Sequence, residues 1–324
     1  MNVDLFAGIG WAEGLKPLGL RETGLELAPA ACATRRAAGH ATVEGDVTQM
    51  VPDTFRGARG LIGSPPCPGF GKSGKKLGLQ DLPRVYQAID DLAAGRDTRA
   101  ELHAACLDFR SILTAEPVRW MRALRPEWIA LEQVPSVLPV WEHIARILDA
   151  WGYSTATGVL DAADYGLGQS RPRAILIASR VRDVMLPAPT HGPGLTPHTS
   201  MADVIGWGYT RRPAPTVTGG GTATGGAEPF GNGTRQAMRR AIGTDAWKDR
   251  NVPPLRSGAP NLRPTVGECA ALQGFRPGLR FQGRQGDQYL IVGNAVPPLL
   301  ATHVIAAAAG VTAATPARAA QPAA

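Results

Sequence analysis

The residue in this chain best suited to covalent chemistry is a cysteine set among prolines, in Gly63-Ser64-Pro65-Pro66-Cys67-Pro68-Gly69-Phe70-Gly71. Two prolines ahead of the cysteine cannot continue a sheet ladder. They stiffen a turn after the apolar run at 60–63, at the carboxyl end of a strand, where open α/β sheets bind ligands. A free thiol titrates near about 8.5, so a nucleophilic one needs a positive field. Lys72, Lys75 and Lys76 follow within nine residues. A lone cysteine is more often a buried loop residue, but the Pro-Pro-Cys setting favours a nucleophile. The other three cysteines, Cys32, Cys106 and Cys269, read as small core residues. No two of the four make a CxxC pair, which argues against a disulfide framework or a cysteine-rich zinc site.

Two further groups could share a crevice with that thiol. Leu131-Glu132-Gln133-Val134-Pro135 places a carboxyl at the end of the next apolar strand. If the two strands are neighbours, Cys67 and Glu132 face one space. Gln169-Ser170-Arg171-Pro172-Arg173 precedes the strand 174–178, and alternation puts Arg171 and Arg173 on one side. Read alone, the acid is often only a loop start, and the arginines are better read as a solvated strand-edge pair. At the amino end, Gly8-x-Gly10-x-x-x-Gly14 follows a short buried run, with Glu26 placed 18 residues after Gly8 and Asp46 after a third strand. Glu26 suits ribose hydroxyls and Asp46 an adenine amine. The spacing is looser than the GxGxxG of dinucleotide sites, which S-adenosylmethionine, having no phosphate, tolerates. A plain strand–turn–helix with surface acids reads the same way.

The elements that must position these groups follow a strand–helix alternation. Strands are expected at 2–6, 21–27, 43–47, 60–63, 128–131, 154–160 and 174–178, with helices at 29–38 and 140–151. That alternation predicts an α/β fold with a Rossmann-like, doubly wound parallel sheet. From 84 to 125 the pattern is helical, and Leu102, Ala105, Cys106, Phe109, Ile112 and Leu113 read as one face of a long helix. Residues 186–262 change character: 13 glycines, many prolines, and 8 basic against 4 acidic residues. They are expected to form a smaller, loop-rich lobe, flanked by a catalytic domain at 1–185 that resumes at 263–311 with helices at 264–274 and 296–309. The Ala/Pro-rich tail 312–324 is expected to be disordered.

The chain carries 34 basic and 27 acidic residues, a net of +7, which favours a polyanionic partner without proving one. Hydrophobic content of 44% is ordinary for a globular protein. No unbroken apolar run approaches the roughly 18 residues of a membrane span, and no signal peptide is visible. The expected compartment is the cytoplasm, with no membrane partner.

Taken in order, these pieces resemble the DNA cytosine-C5 methyltransferase family, as bacterial and phage members carry it: DLFAGIG at 4–10, GSPPC at 63–67, EQV at 132–134, QSRPR at 169–173, RPTVGECAALQGF at 263–275 and QYLIVGNAVPP at 288–298. The insert after Cys67 and the EQV variant look like an actinobacterial subgroup. The resemblance implies methyl transfer from S-adenosylmethionine, without a metal, to carbon 5 of a cytosine flipped out of a specific double-stranded DNA sequence. Cys67 would be the nucleophile, Glu132 would bind N3 and the amine, Arg173 the O2, and Arg171 would support the site. Phe6, Ala7, Gly8, Ile9, Gly10, Glu26, Leu27, Asp46, Val47, Pro66 and Asn294 would line the cofactor site. Residues 186–262 would recognise the target, with Lys72, Lys75, Arg211, Arg212, Thr216 and Val217 toward DNA.

The resemblance further implies a monomer, and leaves open whether a separately acting restriction endonuclease accompanies it. Three features depart from the family: Trp11 replaces the usual third glycine, Pro68 a glutamine and Gln133 an asparagine. An RNA cytosine methyltransferase, a silent DNA-binding regulator and a nicotinamide-dependent oxidoreductase are the alternatives. The lobe, the Cys/Glu/Arg set and the Pro-Pro-Cys turn argue against them in that order.

Overall fold

The computed structural model describes residues 1–66, 68–70, 77–219 and 229–312. Cys67, Lys72, Lys75, Lys76 and the tail from 313 onward lie outside the described residues.

Seven strands build one sheet: β1 Asn2–Leu5, β2 Thr23–Glu26, β3 Ala41–Glu44, β4 Gly60–Gly63, β5 Trp128–Gln133, β6 Ser154–Asp161 and β7 Pro172–Ser179. Their order is β3-β2-β1-β4-β5-β7-β6. The first five run parallel to one another, whereas β7 runs antiparallel to both β5 and β6. The expected doubly wound parallel sheet is thus found, with one antiparallel strand, β7, toward the β6 edge. The cause is connectivity: only the short 3₁₀ turn Ala162–Tyr165 and the residues up to Arg171 join β6 to β7, too little chain for a crossover. Strand order reverses at β1 and β4, and the crevice between their carboxyl ends is the ligand position of such sheets. β4 and most of β5 are buried on both faces, which is why they read as apolar runs, whereas β1 is equally buried but carries Asn2 and Asp4 among its four residues.

Two other expectations shift. β3 ends at Glu44, because the Asp46 carboxylate caps a 3₁₀ turn by accepting from Thr48 N at 2.9 Å. The single long helix expected near 100–113 is instead Arg99–Ala105 followed by the 3₁₀ turn Phe109–Ala115. The buried Asp81 carboxylate accepts from the amides of Leu107 and Asp108 and from Ser111 Oγ, at 2.8–3.0 Å. Those bonds pull the chain out of helix and leave Phe109 58% exposed rather than on a buried face.

The described residues of 186–262 hold little regular structure: the helices Met201–Ile205 and Asn232–Ala241, and a ribbon of β8 Gly208–Tyr209 with β9 Trp247–Lys248. Met201, Trp207, Tyr209, Phe230 and Met238 share one apolar cluster with Cys269, Leu272, Tyr289 and Val292. The chain then forms Val266–Leu272, Gln285–Asn294 and Pro298–Ala309. Gln285–Ala309 is long and apolar enough to cross a membrane by composition alone. Here Ala295–Pro297 break it, and Leu300, Ala301, Val304 and Ile305 are fully buried.

Candidate active site

The crevice begins at a backbone contortion. Phe6 ends β1 with φ +57°, and Gly8 follows at φ +48°. A side chain at Gly8 would meet no atom within 4 Å, so glycine serves the φ value and leaves open space in front of the turn. Gly10 is different: a Cβ there would lie 1.9 Å from the Val296 carbonyl oxygen. The helix Gly10–Leu15 can therefore seat on the C-terminal segment only through glycine. The Glu26 carboxylate, at the carboxyl end of β2, accepts from Gly8 N at 2.8 Å through Oε2 and from Leu27 N and Ala28 N at 2.9 and 2.8 Å through Oε1. Behind the turn, buried Arg35 donates to the Gly8 carbonyl at 3.1 Å and to Glu22 at 2.5 Å.

Of the expected cofactor residues, Ala7, Ile9, Gly10 and Val47 are buried as walls, and Phe6 and Gly8 are half-buried. Leu27, Asp46, Pro66 and Asn294 are exposed. A half-buried aromatic, an open glycine cradle and two carboxylates at successive strand ends fit a nucleoside bearing a thioether or sulfonium chain. Phosphate, by contrast, would face the Glu26 charge.

Glu132 and Arg173 come together. β7 runs antiparallel to β5, so Arg173, at its start, reaches the carboxyl edge of the sheet. Arg173 Nε lies 2.7 Å from Glu132 Oε1, with the two side chains 11% and 5% exposed. Gly63 pairs in register with Leu131, so β4 leads into Cys67 on the strand beside Glu132. The remaining cysteines are poor nucleophiles: burial raises the thiols of Cys32 and Cys106 and pushes Cys269 up to about 12. Cys106 is only half-buried, so it is not the core residue expected.

Arg171 does something else. Its Nη1 donates to the Val217 carbonyl at 2.8 Å, and its Nη2 to those of Gly293 and Ala295 at 2.8 and 2.9 Å. Burial holds the guanidinium well below its usual range, with Arg173 adding to that and Glu132 opposing it. Arg171 therefore locks three chain segments behind the site. Gln169 completes the lock, accepting from Val217 N at 2.6 Å and donating to the Leu272 carbonyl at 3.0 Å. Gln273 donates to the Val292 carbonyl at 2.6 Å. Gln169 lies in the motif 169–173, where the sequence points only to Arg171 and Arg173, and Gln273 lies in the motif 263–275, where it points to no single residue. A polar residue next to an apolar run gives no sign of being buried.

Val217, expected toward DNA, is wholly buried, with both main-chain groups bonded in this lock. Thr216 Oγ1 donates to the Ser170 carbonyl at 2.7 Å. These two residues join the lobe to the catalytic sheet instead of lining its surface. Arg211 and Arg212 are exposed. Arg212 stacks on Tyr209 at 3.9 Å and pairs with Asp245 at 2.6 Å, beside a cleft of about 420 Å³ that reaches Ser170, Pro215 and Thr234. Among the described residues, no cluster of three His, Cys, Asp or Glu is arranged to hold a metal.

Fold and site together define a Rossmann-like α/β methyltransferase. The C-5 cytosine-specific DNA methylase family matches over residues 1–85 and 101–201. The type II methyltransferase M.NaeI of Lentzea aerocolonigenes is 28% identical over 325 residues, covering 93% of this chain and 73% of that one. M1.HphI of Haemophilus parahaemolyticus is 26% identical over 349 residues, covering 93% and 84%. Among solved structures, a DNA modification methyltransferase encoded within an E. coli prophage aligns with a TM-score of 0.57 at 16% identity, covering 94% and 96%. The S. pombe Dnmt2 methyltransferase aligns at 0.59 and 14%, with the same coverage. At such identities the structures speak for the fold alone. The chain belongs to the C-5 cytosine-specific DNA methylase family, and is a DNA (cytosine-5)-methyltransferase.

Proposed function

We propose that this enzyme methylates carbon 5 of a cytosine extruded from a specific double-stranded DNA sequence, through a covalent bond between Cys67 Sγ and carbon 6. The observation that carries the reading is the buried Glu132–Arg173 pair, 2.7 Å apart on the strand end beside the one leading to Cys67. Carbon 5 of cytosine is a weak nucleophile. Addition of the thiolate at carbon 6 shifts the ring's π electrons toward N3 and carbon 5. Glu132 serves N3 and the exocyclic amine, supplying a hydrogen bond or a proton, and Arg173 offsets the charge that develops at O2. S-Adenosylmethionine supplies the electrophilic methyl that carbon 5 takes. Loss of the carbon-5 proton to a base then lets the C6–S bond break and restores the ring.

Phe6, Gly8, Glu26, Leu27, Asp46, Pro66 and Asn294 hold the cofactor, Glu26 toward ribose hydroxyls and Asp46 toward the adenine amine. The base leaves the duplex at a cost of a few kcal/mol, and residues 186–262 read the flanking sequence, with Arg211 and Arg212 toward phosphates. The relatives' type II names support a role in restriction–modification, with a monomeric methylase working beside a separate endonuclease in a bacterial cytoplasm.

Replacing Cys67 by serine is expected to abolish methylation while S-adenosylmethionine still binds; retained turnover would remove Cys67 from the chemistry. DNA carrying 5-fluorocytosine is expected to give a denaturation-resistant adduct, and its absence would reject addition at carbon 6. Sequencing methylated cytosines in DNA from expressing cells would reveal the target.

A further inference from the structure

The segment that carries Cys67 is unusually poor in main-chain donors. Pro65, Pro66 and Pro68 have no N–H, so this stretch cannot be fastened by ladder bonds that need one. Its carbonyls remain as handles, and two of them are taken by side chains from the end of β5 and the turn that follows it. Gln133 Nε2 donates to the Pro65 carbonyl at 2.7 Å, two residues before Cys67. Ser136 Oγ donates to the Phe70 carbonyl at 2.6 Å, three residues after it. The second arm of Gln133 is also engaged: its Oε1 accepts from Val134 N at 2.5 Å, which fixes the amide's orientation. Both donors follow Glu132 on the same strand end, where Pro135 opens the 3₁₀ turn Pro135–Val137 and presents Ser136. Upstream, Trp11 Nε1 donates to Ser64 Oγ at 2.8 Å, and Phe70 itself is buried in the core.

We infer that Gln133 and Ser136 are positioning residues that clamp the nucleophile segment on both sides of Cys67, so that Cys67 and Glu132 keep a fixed relation when DNA enters. The inference rests on the reading of Cys67 as nucleophile. It also gives the glutamine at 133 a specific use, since its extra methylene over asparagine spans the gap to the β4 extension while it still bonds its own strand.

The test uses the full chain and four variants: Gln133→Ala, Gln133→Asn, Ser136→Ala and Ser136→Thr. A misplacement of about an ångström can slow chemistry by about a hundredfold. Single-turnover methyl transfer is therefore expected to fall about 10- to 100-fold in Gln133→Ala and Ser136→Ala. Affinities for S-adenosylmethionine and DNA should stay within about twofold, as expected when only the transition state is affected. Ser136→Thr, which keeps the hydroxyl, should restore the rate, and Gln133→Asn, one methylene short, should not.

Unchanged rates in both alanine variants would overturn the clamp. So would a slowdown matched by equal losses of cofactor affinity and melting temperature, which would mark a merely structural role. Deuterium exchange across residues 63–70 supplies a readout independent of catalysis, with faster exchange expected in both alanine variants. If the unaltered enzyme fails to methylate, the catalytic reading falls and exchange alone decides the clamp. If it methylates but exchange is unaffected, the clamp alone falls.

Discussion

Two arginine–carboxylate pairs of nearly equal length sit in opposite surroundings. Arg173 and Glu132, at the edge of the sheet, are 2.7 Å apart and 11% and 5% exposed. Arg212 and Asp245, in the segment 186–262, are 2.6 Å apart but 55% and 40% exposed. Distance is no guide to their weight. In water such a pair contributes about 0–1 kcal/mol, whereas removing one partner of a buried pair strands a charge at a cost of several kcal/mol. The catalytic edge is thus built from groups that cannot be exchanged singly. The lobe displays groups that can.

That contrast can be tested from its strongest end. Glu132→Gln is expected to lower kcat by about 10²- to 10⁴-fold with cofactor affinity retained, as loss of a proton-handling group does; rapid turnover in this variant would deny Glu132 its role. Arg171→Ala removes the guanidinium donor from the buried carbonyls of Val217, Gly293 and Ala295, and leaves Ala295 only the 3.3 Å bond from Gln273. It should cost about 3 kcal/mol or more in urea unfolding, and a shift under about 1 kcal/mol would mean that the lock is dispensable.

A smaller effect concerns Glu13, which ties the helix Gly10–Leu15 to His40, Lys16 and Arg276. Burial pushes its carboxyl up, but the bonds from His40 and Lys16 and the charges of Lys16 and Arg276 prevail and hold it at about 2, below the ordinary 4.5. Because the folded value is depressed, its contribution is complete above pH 4.5 and drains away as pH falls toward 2. Glu13→Gln should flatten that acid limb by about 1 kcal/mol after allowance for solvent screening. An unaltered limb in thermal melts would assign acid unfolding to other groups. Smallest of all, Arg211→Ala should weaken DNA binding only a few-fold and reduce the salt slope by about 1. Loss of methylation at saturating DNA would show that Arg211 belongs with the chemistry after all.

What the sequence discloses follows the same division. β4 and β5 are legible because burial on both faces leaves short apolar runs, and Glu132 stands where the run of β5 stops while Arg173 stands just before that of β7 begins. The reversal of β7 is not legible, because an apolar run reads alike in either direction. Nor could periodicity foresee the broken helix near Phe109, since the cause is a buried carboxylate 28 residues earlier at Asp81. Gln169, Gln273 and Ser136 act through main-chain carbonyls that only the folded chain brings near. Val217 shows the opposite failure, a motif residue assigned to the DNA surface that serves as an internal joint. Cys67 and the lysines after it remain a statement of sequence and chemistry.

The packing of Val296 on Gly10, with Arg171 gripping carbonyls 293 and 295, bears on biosynthesis. The wall behind the glycine turn and the carbonyls gripped by Arg171 are supplied by residues made nearly three hundred positions after the first strand. A ribosome-bound chain that has folded its early strands still lacks that wall until the segment 285–309 has been made and has docked.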